Sequence, residues 1–152
     1  MFKGTPLNLP PYPFQLQRRN EKVYIFDELR KKYLLVTPEE WVRQHWIQHL
    51  INQKGVSKGL IQSEGGLKLN NLQKRTDLIV FNTAGERILI AEFKAPDIKI
   101  TQTVFDQIAR YNFVYKIPLL LVSNGLNHYY CQVDFENEAY QFIEDLPLLT
   151  YV

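Results

Sequence analysis

Three charged side chains, Asp77, Glu92 and Lys94, stand at the ends of two apolar runs and have the chemistry of a metal site. Carboxylate oxygens are the protein ligands that Mg²⁺ and Mn²⁺ prefer. A lysine beside them can orient or deprotonate a water molecule, or neutralise charge that develops on a phosphate. These residue types therefore indicate a candidate metal site suited to phosphate chemistry.

The two runs, T-D-L-I-V-F and I-L-I-A-E-F-K, have the pattern of a β-hairpin. Both are rich in strand-forming residues, and the segment between them contains Asn82 and Gly85, which favour turns. In an antiparallel pair the start of the first strand lies beside the end of the second, so Asp77 and Glu92 should meet. Strand alternation puts Glu92 and Lys94 on one face.

A structural interpretation of the same residues stays open on spacing alone. Strand ends in soluble proteins often carry charge, and E-x-K on a strand can be an ion pair. Glu92, however, follows a run that is typical of a buried strand, and charges rarely lie next to a core without a partner. The segment after Lys94 also supplies polar groups, among them Gln107.

The spacing of these residues resembles a known nuclease signature. Asp77 is followed, after fourteen residues, by the triplet E-F-K that ends at Lys94, and this resembles the PD-(D/E)xK motif. Thr76 stands where that motif loosely keeps a proline. Gln107 and Tyr111 are similar to the Q-x-x-x-Y element of a subset of the superfamily.

The broader resemblance, over roughly residues 24–134, is to the N-terminal nuclease domain of type I restriction enzyme R subunits. It implies a metal-dependent nuclease in which Asp77 and Glu92 bind the ion and Lys94 acts on the attacking water. It implies that Gln107 hydrogen-bonds near that water or the scissile phosphate. Tyr111 would lie behind Gln107 or contact DNA; the structural alternative is a polar and aromatic pair at the edge of the core.

A helix is predicted to begin at Thr37, the N-cap, with Pro38 in its first turn and Glu40 completing a capping box. Capping alone would explain Glu39 and Glu40. The resemblance implies that a first-helix glutamate joins the metal site, and Glu40 is the better candidate. Arg43, one turn further, is placed to contact Glu40 or a phosphate.

Arg75 and Cys131 complete the candidate residues. Arg75 lies two positions before Asp77, where it could reach the phosphate backbone or remain solvated. Cys131, the single cysteine, falls within the apolar strand pattern of residues 128–133. It is therefore expected in the core, and a disulfide framework is excluded.

The elements are predicted in the order α-β-β-β-α-β-β, which gives an α/β fold with a mixed sheet flanked by helices. The second helix should begin after Thr101 and end near Lys116. Its crossover to the apolar strand at 119–122 implies parallel pairing. This order agrees with a restriction-endonuclease-like core over residues 23–152. The proline-rich residues 1–22 are predicted to form an extended N-terminal arm, and residues 27–34 a polar connection.

Composition places the chain among ordinary globular domains. It has 152 residues, 45% of them apolar, and a net charge of +2. Basic residues cluster at 18–22, at 30–32 and at 68–75, but each cluster alone is explained by a solvated face. There is no apolar run of membrane-spanning length, so a soluble, cytoplasmic protein is expected.

The leading hypothesis is a DNA endonuclease that uses Mg²⁺ or Mn²⁺. The chain has no G-x-x-x-x-G-K-[ST] motif, so a separate motor or specificity subunit is a candidate partner. Cutting both strands of a duplex needs two active sites, which makes a homodimer another candidate. The alternative is a nucleic-acid-binding or assembly module with a nuclease fold and little or no catalysis. The sequence does not discriminate DNA from RNA or branched substrates.

Overall fold

The computed structural model describes residues 4–63, 66–69, 72–75 and 77–149, and at 66–69, 72–75 and 111 it describes the backbone alone. Its elements, in chain order, are β1 (Leu16–Arg19), β2 (Lys22–Asp27), β3 (Lys32–Leu35), α1 (Pro38–Asn52), a short 3-10 turn (Lys58–Leu60), β4 (Ile61–Ser63), β5 (Gly66–Leu69), β6 (Leu72–Arg75), β7 (Leu78–Phe81), β8 (Arg87–Phe93), α2 (Gln102–Tyr115), β9 (Leu119–Ser123), β10 (His128–Asp134) and β11 (Ala139–Ile143).

A six-stranded mixed sheet forms the centre of the fold, in the order β11-β10-β9-β8-β7-β4. Strands β8 and β9 pair in parallel, and the other neighbours pair antiparallel. The parallel pair follows from the connection through α2, because a helical crossover returns the chain to the same end of the sheet. All five residues of β9 are buried, as the apolar run at 119–122 predicts.

The two helices cover opposite faces of this sheet. The first cluster of buried residues joins Val42, Trp46 and Leu50 of α1 to Leu78 and Phe93 of the sheet. The second cluster joins α2 to the other face through the side chains of Phe105, Ile108, Ile79, Ile90 and Leu120. Successive residues along β7 and β8 therefore alternate between the two helices. The fold is thus a mixed α+β arrangement with helices on both sides of a mixed sheet.

The predicted helix starts are confirmed by their caps. The Thr37 hydroxyl accepts a hydrogen bond from the Glu40 backbone N–H at 3.0 Å. The Thr101 hydroxyl accepts one from the Val104 backbone N–H at 3.3 Å. Helix α2 ends where Lys116 takes a left-handed backbone conformation with φ of 54°. In the part of the chain that the structure describes, neither helix combines the length and the apolarity needed to cross a bilayer.

The N-terminal region contains more regular structure than the sequence pattern indicates. Strand β1 lies inside the segment predicted as an extended arm, and it pairs antiparallel with β2. The turn between them consists of Asn20 and Glu21, both of which have positive φ. Because this turn lacks the glycine that is typical of such turns, the sequence pattern does not indicate a hairpin there. Strand β3 overlaps the connection predicted at residues 27–34 and pairs with β2. These three strands form a separate sheet before α1.

The predicted order α-β-β-β-α-β-β omits that sheet and two later features. Strands β5 and β6 form a separate two-stranded hairpin before β7. Strand β11 forms an antiparallel hairpin with β10. Cys131 on β10 is fully buried, as expected, and burial raises its pKa to about 12.

Candidate functional site

The hairpin of β7 and β8 brings Asp77 and Glu92 to the same end of the central sheet. The register pairs Leu78 with Ala91, so the next residue pair outward is Asp77 beside Glu92. The backbone N–H of Phe93 donates a hydrogen bond to Asp77 Oδ2 at 2.7 Å. This bond fixes one oxygen of the Asp77 carboxylate to the end of β8. The backbone pairing therefore places the two residues side by side at the end of the hairpin.

The same end of the sheet is shared by the parallel neighbour β9. Glu92 lies opposite Val122 in the parallel register, and the Lys94 backbone N–H donates to the Ser123 carbonyl oxygen at 2.9 Å. Glu92 is only 6% exposed, whereas Asp77 and Lys94 are partly buried. The candidate site thus lies at the carboxyl end of two parallel strands, an edge where sheets of this type often bind ligands.

A buried hydrogen-bond network fixes the end of β9 beside this site. Trp46 of α1 donates its indole N–H to Ser123 Oγ at 2.9 Å, and the Gly125 backbone N–H donates to the same oxygen. Ser123 Oγ also lies 2.7 Å from His128 Nδ1. His128 Nε2 lies 2.8 Å from the Asn8 carbonyl oxygen, which makes that nitrogen the donor. Because Ser123 Oγ already accepts two N–H groups, its hydroxyl donates to His128. These bonds connect α1 and Asn8 to the end of β9, at the edge of the sheet that carries the site.

Three further candidates, Gln107, Tyr111 and Arg75, lie on α2 or on β6. Gln107 lies on the exposed side of α2, since Phe105 and Ile108 point into the core. The side chains of Tyr111 and Arg75 lie outside the described residues. The backbone of α2 and β6 carries these two positions, but their predicted contacts with DNA stay predictions.

Glu40 and Arg43 belong to a second cluster of charges at the start of α1. Glu40 Oε1 lies 3.4 Å from an Arg43 guanidinium nitrogen and 3.7 Å from one of Arg30. Glu40 Oε2 accepts a hydrogen bond from the Gln44 side-chain amide at 3.0 Å. Arg43 also donates to Ser63 Oγ on β4 at 3.4 Å. Helix α1 packs on the sheet face opposite α2, whereas alternation puts Glu92 on the α2 face.

Asp27, at the end of β2, is the other carboxylate of this second cluster and is fully buried. Its Oδ1 accepts from the backbone N–H groups of Leu29 and Arg30 at 2.7 and 3.0 Å. Its Oδ2 accepts from Arg30 Nε at 3.0 Å, lies 2.9 Å from a terminal nitrogen of Arg30, and accepts from the Gln44 amide at 3.1 Å. The Gln44 amide therefore joins the carboxylates of Asp27 and Glu40.

The pKa values of these two carboxyl groups shift in opposite directions. Burial alone would raise the pKa of Asp27, but the backbone and guanidinium of Arg30 and the Gln44 amide together hold it below its usual range. Burial raises the pKa of Glu40, and the opposing effects of Arg43, Gln44 and Arg30 do not overcome it. Asp27 is therefore held ionised, while Glu40 carries its charge at a cost.

The sequence analysis did not predict a charge cluster that contains Asp27, Arg30 and Gln44. Two local signals could have indicated part of it, the three-residue spacing from Asp27 to Arg30 and the four-residue spacing from Glu40 to Gln44. The link from Gln44 to Asp27 crosses seventeen positions and has no local signature.

The donor set at the strand ends fits a hard divalent cation. Mg²⁺ in proteins commonly takes one or two carboxylates and completes its shell with water and substrate phosphates. Asp77 and Glu92 supply two carboxylates. Among the residues whose placement is described, no group of three His, Cys, Asp or Glu side chains is arranged to hold a metal ion. Two carboxylates are within the number of protein ligands that such an ion takes.

Comparison with known proteins places the chain in a family. The family model of the type I restriction enzyme R protein N terminus matches residues 38–147, more than half of the sequence. The chain belongs to this family. No curated protein matches it. A solved fragment described as an HsdR subunit of a type I restriction enzyme from Vibrio vulnificus YJ016 is 22% identical, with a TM-score of 0.37. That alignment covers 57% of this chain and 16% of the chain of the fragment.

The part of this R protein N-terminal domain that matches the family model runs from the first residue of α1 to Pro147. It contains Glu40, Asp77, Glu92 and Lys94, the residues from which the metal site is predicted. The sheet of β1, β2 and β3 lies outside it.

Proposed function

We propose that this domain is a metal-dependent deoxyribonuclease that hydrolyses phosphodiester bonds in DNA as an endonuclease. The observation that carries the proposal is the pairing of β7 with β8, which sets Asp77 beside Glu92 and holds Asp77 by the Phe93 backbone N–H. Membership of a restriction enzyme R protein family supports a restriction-related role. The domain spans only 16% of the Vibrio vulnificus fragment, so DNA cleavage is our inference for this domain itself.

In this proposal Asp77 and Glu92 hold Mg²⁺ or Mn²⁺. When bound, such an ion supplies Lewis-acid stabilisation of the phosphate and a water of lowered pKa. Lys94 lies two residues beyond Glu92, and its Nζ would accept or steer the proton of the attacking water. Gln107, exposed on α2, would orient that water or a phosphate oxygen.

Glu40 has a different role in the proposal because its carboxylate is already engaged by Arg43, Arg30 and Gln44. We infer that any part it takes in ion binding is through a water molecule. Arg43, together with Arg75 and Tyr111, is proposed to contact the DNA backbone.

The family name also bears on partners. R proteins are named as parts of type I restriction enzymes, so we propose that this domain acts on DNA together with a separate motor or specificity subunit. Cleavage of both strands requires a second active site, which a homodimer would supply.

The proposal is tested by isothermal calorimetry with Mg²⁺ and Mn²⁺ on the wild type, Asp77→Ala and Glu92→Ala, followed by cleavage assays on linear and supercoiled DNA. Glu136→Ala is the matched control, because it removes one exposed carboxylate from the loop after β10. We expect the wild type and the control to bind metal and cut DNA. Both site variants should lose metal binding and cleavage while retaining DNA binding.

Three outcomes would overturn the nuclease proposal. A wild type that binds no metal, even with a DNA oligonucleotide present, has no site of this kind. Metal binding that survives both substitutions places the ion elsewhere. DNA binding without cleavage in every form would instead support the alternative of a binding or assembly module.

A further inference from the structure

The sheet formed by β1, β2 and β3 has one packed face and one open face. Ile25 and Asp27 are buried on the packed face. Alternation and the strand registers put the following residues together on the other face, which we call the basic face: Gln17, Arg19, Lys22, Tyr24, Phe26, Tyr33 and Leu35. Gln17, Arg19 and Lys22 are exposed at one end of it, and Tyr24 and Tyr33 are partly buried beside them.

Arg19 is held in one position on the basic face. Its Nε and one terminal nitrogen donate to Gln17 Oε1 at 3.0 and 2.6 Å. Its guanidinium carbon lies 5.1 Å from the centre of the Tyr24 ring and 5.5 Å from that of Tyr33. An exposed arginine ordinarily retains rotamer entropy, which binding must remove. A guanidinium already fixed by an amide and two rings is pre-organised to receive an anion.

A second cation lies directly across from Arg19. The register pairs Arg19 with Lys22, at the end of the hairpin and on the same face. Like charges opposite each other across two strands destabilise the pair. The tight turn of Asn20 and Glu21 keeps them together and contributes one exposed carboxylate. An anion bound between Arg19 and Lys22 would relieve this repulsion.

The charge of the whole chain is concentrated in this segment. Residues 16–35 contain six Lys and Arg against three Asp and Glu, whereas the rest of the chain has twelve against thirteen. Two of the three acids are already engaged, Asp27 with Arg30 and Glu28 with Lys58 at 2.7 Å. Residues 16–35 carry a net charge of +3, whereas the rest of the chain carries −1.

We propose that the basic face binds the phosphate backbone of duplex DNA, with Arg19 and Lys22 each contacting a phosphate. The choice of DNA as the polyanion rests on the proposed function, but the binding needs no metal and no catalysis. The guanidinium offers a planar group for a phosphate, and the lysine offers a compact charge. Phosphate contacts position a protein on DNA without reading its sequence, so the binding is independent of sequence.

The strand itself supplies a matched control. Arg18 is exposed and adjacent in sequence, but alternation points it to the opposite face of β1. Arg18→Ala and Arg19→Ala remove the same charge from the same strand. Generic attraction of a positive protein to DNA would be weakened equally by both, whereas a site on the basic face responds to Arg19 alone.

The test is fluorescence anisotropy with a labelled duplex oligonucleotide in EDTA, for the wild type, Arg18→Ala, Arg19→Ala and Lys22→Ala, between about 50 and 200 mM salt. We expect Arg19→Ala and Lys22→Ala each to weaken binding by roughly tenfold and to reduce the salt slope by about 0.9, the value for one lost phosphate contact. Arg18→Ala should change the affinity by less than about twofold. Thermal unfolding confirms that each variant is folded.

Tyr24→Leu tests the positioning of Arg19 without any change in charge. We expect weaker binding with an unchanged salt slope, because the guanidinium is still present but no longer held. The proposal is overturned if Arg18→Ala costs as much as Arg19→Ala, if none of the variants changes the affinity, or if poly-glutamate competes as well as unlabelled duplex. Repeating the titration with Asp77→Ala separates this face from the nuclease proposal, since binding should persist whether or not the wild type cuts DNA.

Discussion

Asp27 and Glu40 are two buried carboxylates that share the Gln44 amide and lie beside Arg30, yet they are held very differently. Asp27 accepts two backbone N–H groups and a close guanidinium contact at 2.9 Å. Glu40 has ion contacts of 3.4 and 3.7 Å and one side-chain hydrogen bond. The pKa of Asp27 is lowered, and the pKa of Glu40 is raised.

The difference shows how backbone donors decide the state of a buried acid. Charge-assisted bonds from fixed N–H groups stabilise the ionised form without the loss of side-chain entropy that long cations incur. Asp27 therefore anchors the turn after β2, whereas the Glu40 carboxylate is held loosely enough to change its charge or its partner.

The largest expected effect is that of Asp27→Ala. Removal of this carboxylate leaves the Arg30 charge and the backbone N–H groups of Leu29 and Arg30 without their acceptor. Breaking a buried ion pair in this way costs roughly 3 kcal/mol, the lower end of the usual range, because Arg30 is partly exposed. Urea denaturation should show this loss as a lower midpoint with an unchanged slope.

Asp27→Asn is the control for this prediction. It keeps an oxygen for the two backbone N–H groups while removing the charge, so it should lose clearly less than Asp27→Ala. Equal losses would mean that the ion pair alone carries the effect and that the backbone bonds do not distinguish Asp27 from Glu40.

The shared amide gives a second and smaller effect. Gln44→Leu replaces a buried amide by an apolar group of similar size and removes a donor from both carboxylates. Leaving buried acceptors with one bond fewer costs about 1–3 kcal/mol. Since Asp27 keeps its backbone donors, the loss should fall mainly on Glu40 and raise its pKa further. Denaturation at pH 7 and at pH 4 measures this, and a loss of stability that is larger at pH 4 would contradict it.

Much of the central fold was predictable from the sequence because its signals are local. The hairpin that sets Asp77 beside Glu92 depends on two apolar runs and the turn residues Asn82 and Gly85, all within twenty residues. The parallel pairing of β8 with β9 follows from the length of the helical crossover between them. Both helix starts follow from a threonine cap and the apolar period after it.

The N-terminal sheet and the charge cluster were not predictable in the same way. The turn of Asn20 and Glu21 adopts positive φ without glycine, and the cross-strand pairs of β1, β2 and β3 hold it in that conformation. The bond between Gln44 and Asp27 joins a helix to a strand end and exists only once α1 has packed. The roles of Glu92 and Lys94 rest on chemistry that the fold permits and that the metal-binding experiment must test.

The smallest expected effect on stability, and the sharpest test of the comparison, is that of Glu40→Gln. A glutamine keeps an oxygen that can accept from Gln44 and mimics the protonated acid. The raised pKa means that the folded state favours protonated Glu40, so its contribution to stability is fully present below pH 4.5 and is lost as the pH rises through the folded pKa. The variant should therefore match the wild type in acid.

At pH 7 we expect Glu40→Gln to be as stable as the wild type or more stable. The gain in unfolding free energy should be less than about 1 kcal/mol, the net value of one hydrogen bond.

The stability of Asp27→Asn should depend on pH in the opposite sense. Because the pKa of Asp27 is lowered, its contribution is present above pH 3.8 and is lost as the pH falls through the folded value, so that variant approaches the wild type only in strong acid. Unfolding free energies of both variants, measured from pH 3 to pH 8, test the two signs together. A Glu40→Gln variant that becomes less stable than the wild type as the pH rises would show that the arginine contacts of Glu40 outweigh its burial, and the two carboxylates would then be held alike.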